Sequence, residues 1–366
     1  MLNLLAVIDL VSDNLMGKNK FLRKFTEWEY WPSTLFYTPN LPYALYLGLK
    51  AGNFAFYTAV NPGIKSSGNG TESKFNTLKM IPDAFKPKSI FVPMERKWED
   101  VRDQIKMAGI EFPLIAKPDI GFRGMFVKKI RSEEQMKTYL DQHPFNIIVQ
   151  DFIGLPHECG VFFHKLPDSE QGHITSLTLK SYIQIKGDGQ STVSELVHRD
   201  KRARHYVEKL QEINQDIWDT VPSLHKELIL SEIGNHGRGT QFFNGNDQID
   251  AQLEKTFNEL SAKITGFYYG RFDIKYQSLE ELKQGKNFKF LEVNGIISEP
   301  THMYDAQKGT YFGALKTIRK HWDIVYLIGT QNHKMGVPYM KISTFWKEIS
   351  GLMKYVKEMK KLAHSV

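Results

Sequence analysis

Only one cysteine, Cys159, occurs in the 366 residues. A lone thiol closes no internal disulfide, so a small secreted scaffold held by bridges is excluded. No histidine–asparagine setting marks Cys159 as a nucleophile, and its expected state is that of a buried small hydrophobe. Long apolar runs are missing too. Leu2 to Val11 is apolar but short, contains Asp9 and has no basic segment before it, which fits neither a membrane span nor a signal peptide. No other stretch approaches about 20 apolar residues. A cytoplasmic protein is the expectation. The sequence holds no GxxxxGK[ST] loop and no GxGxxG fingerprint, which excludes the P-loop and Rossmann modes of holding phosphate. It has no internal repeat and no low-complexity segment. Charge of one sign is not concentrated. The net charge is +7, from 48 Lys and Arg against 41 Asp and Glu, and the basic residues are spread along the chain, so nucleic acid is not an expected partner.

What is present is a globular composition. Hydrophobic residues make up 41% and charged residues 24%, enough for a large core and roughly two or three structural units. Residues 1–97 are rich in aromatics. Within them Leu41 to Ala51 reads as a helix, Phe54 to Val60 as a strand, and Asn61 to Thr71 (NPGIKSSGNGT) as a glycine- and serine-rich loop. From 98 to 175 the pattern alternates: a helix at Trp98–Ala108, a strand at Pro113–Lys117, a glycine turn, a strand at Met125–Ile130, a helix at Ser132–Asp141 and a strand at Asn146–Gln150. That alternation predicts a mixed α/β unit, and 176–305 reads as a second. There, Ile249, Leu253, Phe257, Leu260 and Ile264 fall on one face of a helix spanning Asn246–Gly266. The part from 306 to 366 reads as helical. Its last helix, about 343–364, carries Phe345, Ile349, Leu352, Val356, Met359 and Leu362 on one face and several lysines on the other. Packing against the body is favoured for it over contact with an anionic membrane surface.

The chemistry concentrates in GRFDIKY (270–276) and FKFLEVNGIISEP (288–300). Alternate side chains of a strand share a face. Arg271 therefore lies beside Asp273, and Glu292 beside Asn294, with Leu291 and Val293 turned to the packed side. If the strands pair, Asp273, Glu292 and Asn294 offer hard oxygen donors suited to Mg²⁺ or Mn²⁺, with Arg271 placed to neutralise phosphate charge. The bland alternative is a solvated face with a surface ion pair, and Asp and Asn are depleted in strands. In FPLIAKPDIGFRG (112–124), Lys117 ends an apolar strand before a glycine turn, a weak phosphate motif whose alternative is a snorkelling surface lysine. VQDFIGLPHECGVFF (149–163) is a strand, a kink and a second strand. Such a linker can bond a purine through its backbone, and Glu158 can bind a ribose. HGRGT (236–240) sets Arg238 between glycines, either to reach a carboxylate or phosphate or as an exposed turn.

The order of these motifs resembles the ATP-grasp superfamily, and within it carboxylate–amine ligases such as D-alanine–D-alanine ligase. The resemblance covers roughly 70–305, with GRFDI…FLEVNGIISEPT its most specific part; KGDGQSTVSELV (186–197) is similar to a segment of cyanophycin synthetases. It implies an α/β ATP-grasp fold over 98–305, with subdomains 98–175 and 176–305 gripping ATP. A pre-ATP-grasp-like domain over 1–97 and a helical extension over 306–366 complete the arrangement. It further implies Asp273, Glu292 and Asn294 as metal ligands, and Arg271 and Arg238 as catalytic. Lys74 (or Lys79), Lys117, the hinge Gln150, Asp151, Phe152 and Ile153, with Glu158 and Lys180, would hold ATP. The implied partners are a small-molecule carboxylate and an amine; no oligomeric state is implied. Two departures bear on the substrate: the N-terminal region lacks the family's histidine–glycine signature, and the loop after Asn294 reads GIISEPT. A small-molecule kinase on the same fold and a non-catalytic nucleotide-binding module are the competing readings.

Overall fold

The strands of the computed structural model, which describes residues 28, 31–121, 124–234, 239–305 and 307–365, form two antiparallel sheets and a small ribbon. The first sheet has the order β1-β4-β2-β3, from β1 (Ser89–Val92), β2 (Leu114–Pro118), β3 (Lys128–Ile130) and β4 (Ile147–Asp151). The second has the order β11-β10-β5-β6-β9. Its members are β5 (His157–Lys165), β6 (Gly172–Ser181), β9 (Gln241–Asn244), β10 (Tyr269–Tyr276) and β11 (Phe288–Asn294). A ribbon pairs β7 (Gln184–Lys186) with β8 (Glu227–Ile229). The fold is thus mixed α/β with antiparallel sheets. These sheets cut across the boundaries expected at 97 and 175: β1 precedes the first, and β6 runs through the second.

Helix boundaries follow local chemistry. The Ser132 hydroxyl accepts from Gln135 N at the start of helix Glu133–Gln142. Thr192 and Glu195 make a reciprocal capping box at Val193–Arg199. The helix expected over Asn246–Gly266 is shorter. A 3₁₀ turn at Asn246–Gln248 comes first, and the α-helix is Ala251–Ser261, because the Asp250 carboxylate caps Leu253 N at 2.9 Å and fixes the start. Its apolar face still packs Leu253, Phe257 and Leu260 behind the second sheet against Phe272, Ile274 and Phe290.

The strand expected at Phe54–Val60 is a 3₁₀ turn, Phe56–Ala59. An apolar run of this length cannot be assigned by periodicity. Ala55 to Val60 are all buried, and their carbonyls find side-chain donors instead of a sheet partner: Asn332 Nδ2 donates to Ala59 O at 2.9 Å and Val60 O at 3.0 Å. Asn332 belongs to the long helix Tyr311–Lys334, and the last helix is Ile342–Ser365. The expected helical character of the C-terminal part holds over both. No helix among the described residues is long and apolar enough to cross a membrane. Cys159 is fully buried, which pushes its thiol pKa up and leaves it inert.

Two buried histidine pairs lie in this core. His302 Nδ1 meets Ser176 Oγ at 2.6 Å, and His321 Nδ1 meets Tyr269 OH at 3.0 Å. Burial lowers the pKa of His302 from 6.5 to about 4 and that of His321 to about 3. The unfolded chain therefore binds protons that the folded chain refuses as pH falls below 6.5, and stability drops through the window down to about pH 4. Thermal scans from pH 7 to 4.5 should show a falling Tm, on the order of 2–3 kcal/mol per histidine at the acid end. His302→Gln should flatten part of that slope; an unchanged slope would assign the acid sensitivity elsewhere.

Candidate active site

Pairing of β10 with β11 sets Asp273 opposite Glu292 and Arg271 opposite Asn294. The expected shared face therefore exists, although strict alternation would also have placed two core phenylalanines on it. Alternation along FKFLEVN would put Phe288 and Phe290 on the same side as Glu292. A register shift after Asp273, where Ile274 pairs with Phe290, leaves Leu291 as a bulge. Phe288, Phe290 and Val293 then all reach the core, while Glu292 and Asn294 face the site. Leu291, expected on the packed side, is outside that core and half-buried. Its carbonyl accepts from Lys117 Nζ at 3.3 Å.

Across β10, β5 and β6 the same face continues. Gly160 is paired with Asp273, Glu158 with Lys275, and Lys180 with Glu158. Lys180 Nζ bridges Glu158 Oε1 at 2.7 Å and Asp273 Oδ1 at 2.8 Å. The Lys180 and Glu158 side chains are 5% and 6% exposed, so this pairing is desolvated. Asp273 Oδ2 also accepts from Arg271 Nη2 at 3.0 Å and Asn294 Nδ2 at 2.9 Å. Arg271 and Lys180 hold the Asp273 carboxyl well below the usual carboxylate range although burial opposes them, and its charge in turn raises Lys180 against its own burial. Glu292 pairs with Lys74 Nζ, and Lys74 and Lys117 together lower its pKa against the opposing effect of burial. Both carboxylates are thus ionised at neutral pH and face each other across two strands, an arrangement that is unfavourable without cations between them. Lysine ammonium groups fill that role here.

The first sheet supplies the other wall. Lys117, Ile115 and Gln150 lie on the face of β2 and β4 opposite the core residues Leu114, Ala116 and Val149. Burial lowers the Lys117 pKa to about 8 despite Glu292, which leaves it largely protonated at neutral pH, and an anion beside it would raise the pKa again. Gln150 is buried, and its Nε2 has no partner; Arg271 Nε is likewise a buried atom without one. Buried donors left open in this way fit a ligand. Asp151 falls on the opposite side of β4 by its register with Leu114, so it brings only its backbone toward the hinge. Phe152, in the connector 152–156, lies under Lys129 Nζ at 3.7 Å from its ring, and Ile153 follows it half-buried. Lys79 points elsewhere, over the Phe75 ring. Arg238, with Arg123, lies outside the described residues.

Several contributors have no local signal. The Gly/Ser loop 61–71 ties the site strands together. Asn61 bonds the backbone of Tyr268 and Tyr269, while Ile296 N and Ile297 N donate to Ser67 O and Gly68 O at 3.0 Å. Glycine is required where this loop meets the turn after Asn294: a Cβ on Gly68 would lie 2.6 Å from Gly295 Cα. Glu72 is buried beside Lys74, and burial raises its pKa. Tyr182 OH donates to Glu158 Oε2 at 2.7 Å. Gly234 passes so close to the Glu158 carboxylate that a Cβ would lie 2.1 Å from Oε1. Glu299 accepts from Tyr37 and from Tyr304 OH at 3.1 Å, and its carbonyl accepts from Arg271 Nη1 at 3.1 Å.

No family model matches the sequence, and no curated protein does. Three solved ligase structures show a loose likeness to this chain. A bifunctional glutathione synthetase from Pasteurella multocida shares 15% identity over 70% of this chain and 36% of its own, with a TM-score of 0.35. The VanG D-Ala:D-Ser ligase from Enterococcus faecalis shares 15% over 73% of this chain and 64% of its own, at 0.40. A D-alanine–D-alanine ligase from Bacillus anthracis shares 12% over 75% of this chain and 72% of its own, at 0.40. The chain spans little more than a third of the first and just under two thirds of the second. At such scores the likeness is loose, and the residues of the site carry the reading of it.

Proposed function

We propose that this chain is an ATP-dependent ligase that converts a carboxylate to an acylphosphate and passes the acyl group to an amine. One observation carries the reading. Asp273, Glu292 and Asn294 lie on adjacent strands, Lys74 and Lys180 converge on them from two other places in the sequence, and Arg271, two residues before Asp273, and Lys117 stand beside them. Two ionised carboxylates and an amide oxygen make a hard donor set, and the lysines on those carboxylates show a face built for positive charge. Mg²⁺ held there by Asp273, Glu292 and Asn294 would neutralise the phosphate oxygens of ATP. The protein's own part is positioning and charge. Lys117 and Lys74 sit where a triphosphate would lie. Gln150 to Ile153 and Glu158 line the path toward a nucleoside. Arg271 stands between the metal face and Glu299, where charge develops as a carboxylate oxygen attacks the γ-phosphorus and ADP departs. An amine then attacks the acyl carbon, losing a proton, and inorganic phosphate leaves.

The test is ADP and phosphate release with Mg²⁺ and ATP over a panel of carboxylates, with and without amines. Amine-dependent phosphate release supports ligation; a stable phosphorylated product formed without amine makes the chain a kinase; no turnover with any pair removes the catalytic reading. Binding gives a separate check. Lys117 is buried at a cost to its charge, so Lys117→Met should lower ATP affinity tenfold or more, about 1.4 kcal/mol, while Tm changes little because Lys74 still pairs Glu292. Unchanged affinity by calorimetry would make Lys117 a structural residue.

A further inference from the structure

A cavity of about 70 Å³ lies beyond Glu299, at the end of the site face. Tyr57, Tyr269, Ile297, Trp322 and Val325 are among its walls. Several polar side chains on its lining already have partners. Glu299 accepts from Tyr37 and Tyr304, His321 is bonded to Tyr269, and Ser298 Oγ donates to Gly295 O at 2.5 Å. An apolar occupant therefore strands none of these groups, whereas a polar one would find them taken. That volume would hold about five water molecules, the space of one branched or aromatic side chain. Tyr269 precedes Arg271 by two residues on the same face, roughly 7 Å along the strand. The Arg271 guanidinium also bonds Glu299 O, on the cavity wall. A small acid with its carboxylate at Arg271 thus reaches the cavity with its side chain.

We propose that this cavity is the side-chain pocket of the activated carboxylate, and that it selects a branched aliphatic or aromatic chain over a methyl group. The inference rests on the ligase reading for the carboxylate's position. The probes are alanine, valine, leucine and phenylalanine in both enantiomers, offered to the full chain with Mg²⁺ and ATP. Two readouts are taken: ADP release, and calorimetric binding in the presence of adenylyl imidodiphosphate. Wild type should favour leucine, valine or phenylalanine over alanine by tenfold or more in one enantiomeric series. Val325→Phe, which fills the cavity, should erase that preference while alanine is still turned over. Val325→Ala, which enlarges it and spares the fold if the larger residue does not, should move the optimum to phenylalanine. A flat profile in wild type, or the same profile in wild type and the folded variants, overturns the proposal. If no acid drives ADP release, the ligase reading fails, and the binding profile alone decides the pocket: a chain-length preference that follows Val325 upholds it, and none overturns it.

Discussion

Glu292→Gln and Asp273→Asn each abolish ADP release, by about 10³-fold or more, in protein whose circular dichroism is that of the wild type. The amide variants keep volume and hydrogen-bonding shape while removing one charge. Truncation to alanine would confound the result, because Lys74 would lose its carboxylate partner, and a charge stranded by removal of its partner costs about 3–5 kcal/mol. Even the amides shift the balance. Lys180 still has the directly bonded Glu158 when Asp273 is neutralised, whereas Lys74 keeps only the weaker influence of Glu72 and Asp273 when Glu292 is. Glu292→Gln should therefore lower Tm more than Asp273→Asn, while both are equally inactive. Activity within about tenfold of wild type in either variant would remove these carboxylates from the chemistry.

What could be read from the sequence, and what could not, divides along a physical line. The pairing of GRFDIKY with FKFLEVN was legible because two short apolar-and-charged runs near each other in the chain make an antiparallel pair, and register then follows from burial. The bulge at Leu291 was not, because it answers a conflict that appears only when Phe290 and Glu292 need opposite faces. The helix that follows Ser132 was legible. Phe54–Val60 was not, since its partners are Asn332 and the helix carrying it, more than 270 positions away. Comparable separations, over 200 positions, hide Glu299 and Asn61, whose parts in the site depend on what the fold brings against them. A lysine such as Lys180 has no signature of its own; it is marked by the two carboxylates that neighbouring strands place on it.

Removing the last helix by truncation after Thr344 should unfold the protein or lower its Tm by more than 10 °C. Phe345, Ile349, Leu352, Val356 and Met359 are 0–6% exposed. Four of them join Leu47, Phe56, Tyr57 and Val325 in one cluster, and Met359 joins the core beneath the first sheet. At about 1.5–3 kcal/mol per buried side chain, their loss is comparable to the whole stability of a typical domain, about 5–15 kcal/mol. The helix also reaches the site. Glu348 accepts from Ser66 Oγ at 2.7 Å in the loop that abuts Gly295, and Tyr355 OH donates to Ile120 O at 2.8 Å, three residues past Lys117. Ile349→Asp should reproduce much of the destabilisation in a full-length chain, since it buries an unpaired charge. Lys347, Lys354, Lys357 and Lys361 lie on the exposed side, so reversing them to glutamate should leave Tm within about 2 °C. The packed face argues against membrane insertion, because the residues that would enter a bilayer already fill the core. A truncated chain that kept its Tm yet lost binding to vesicles of anionic lipid would assign the helix to a membrane surface instead.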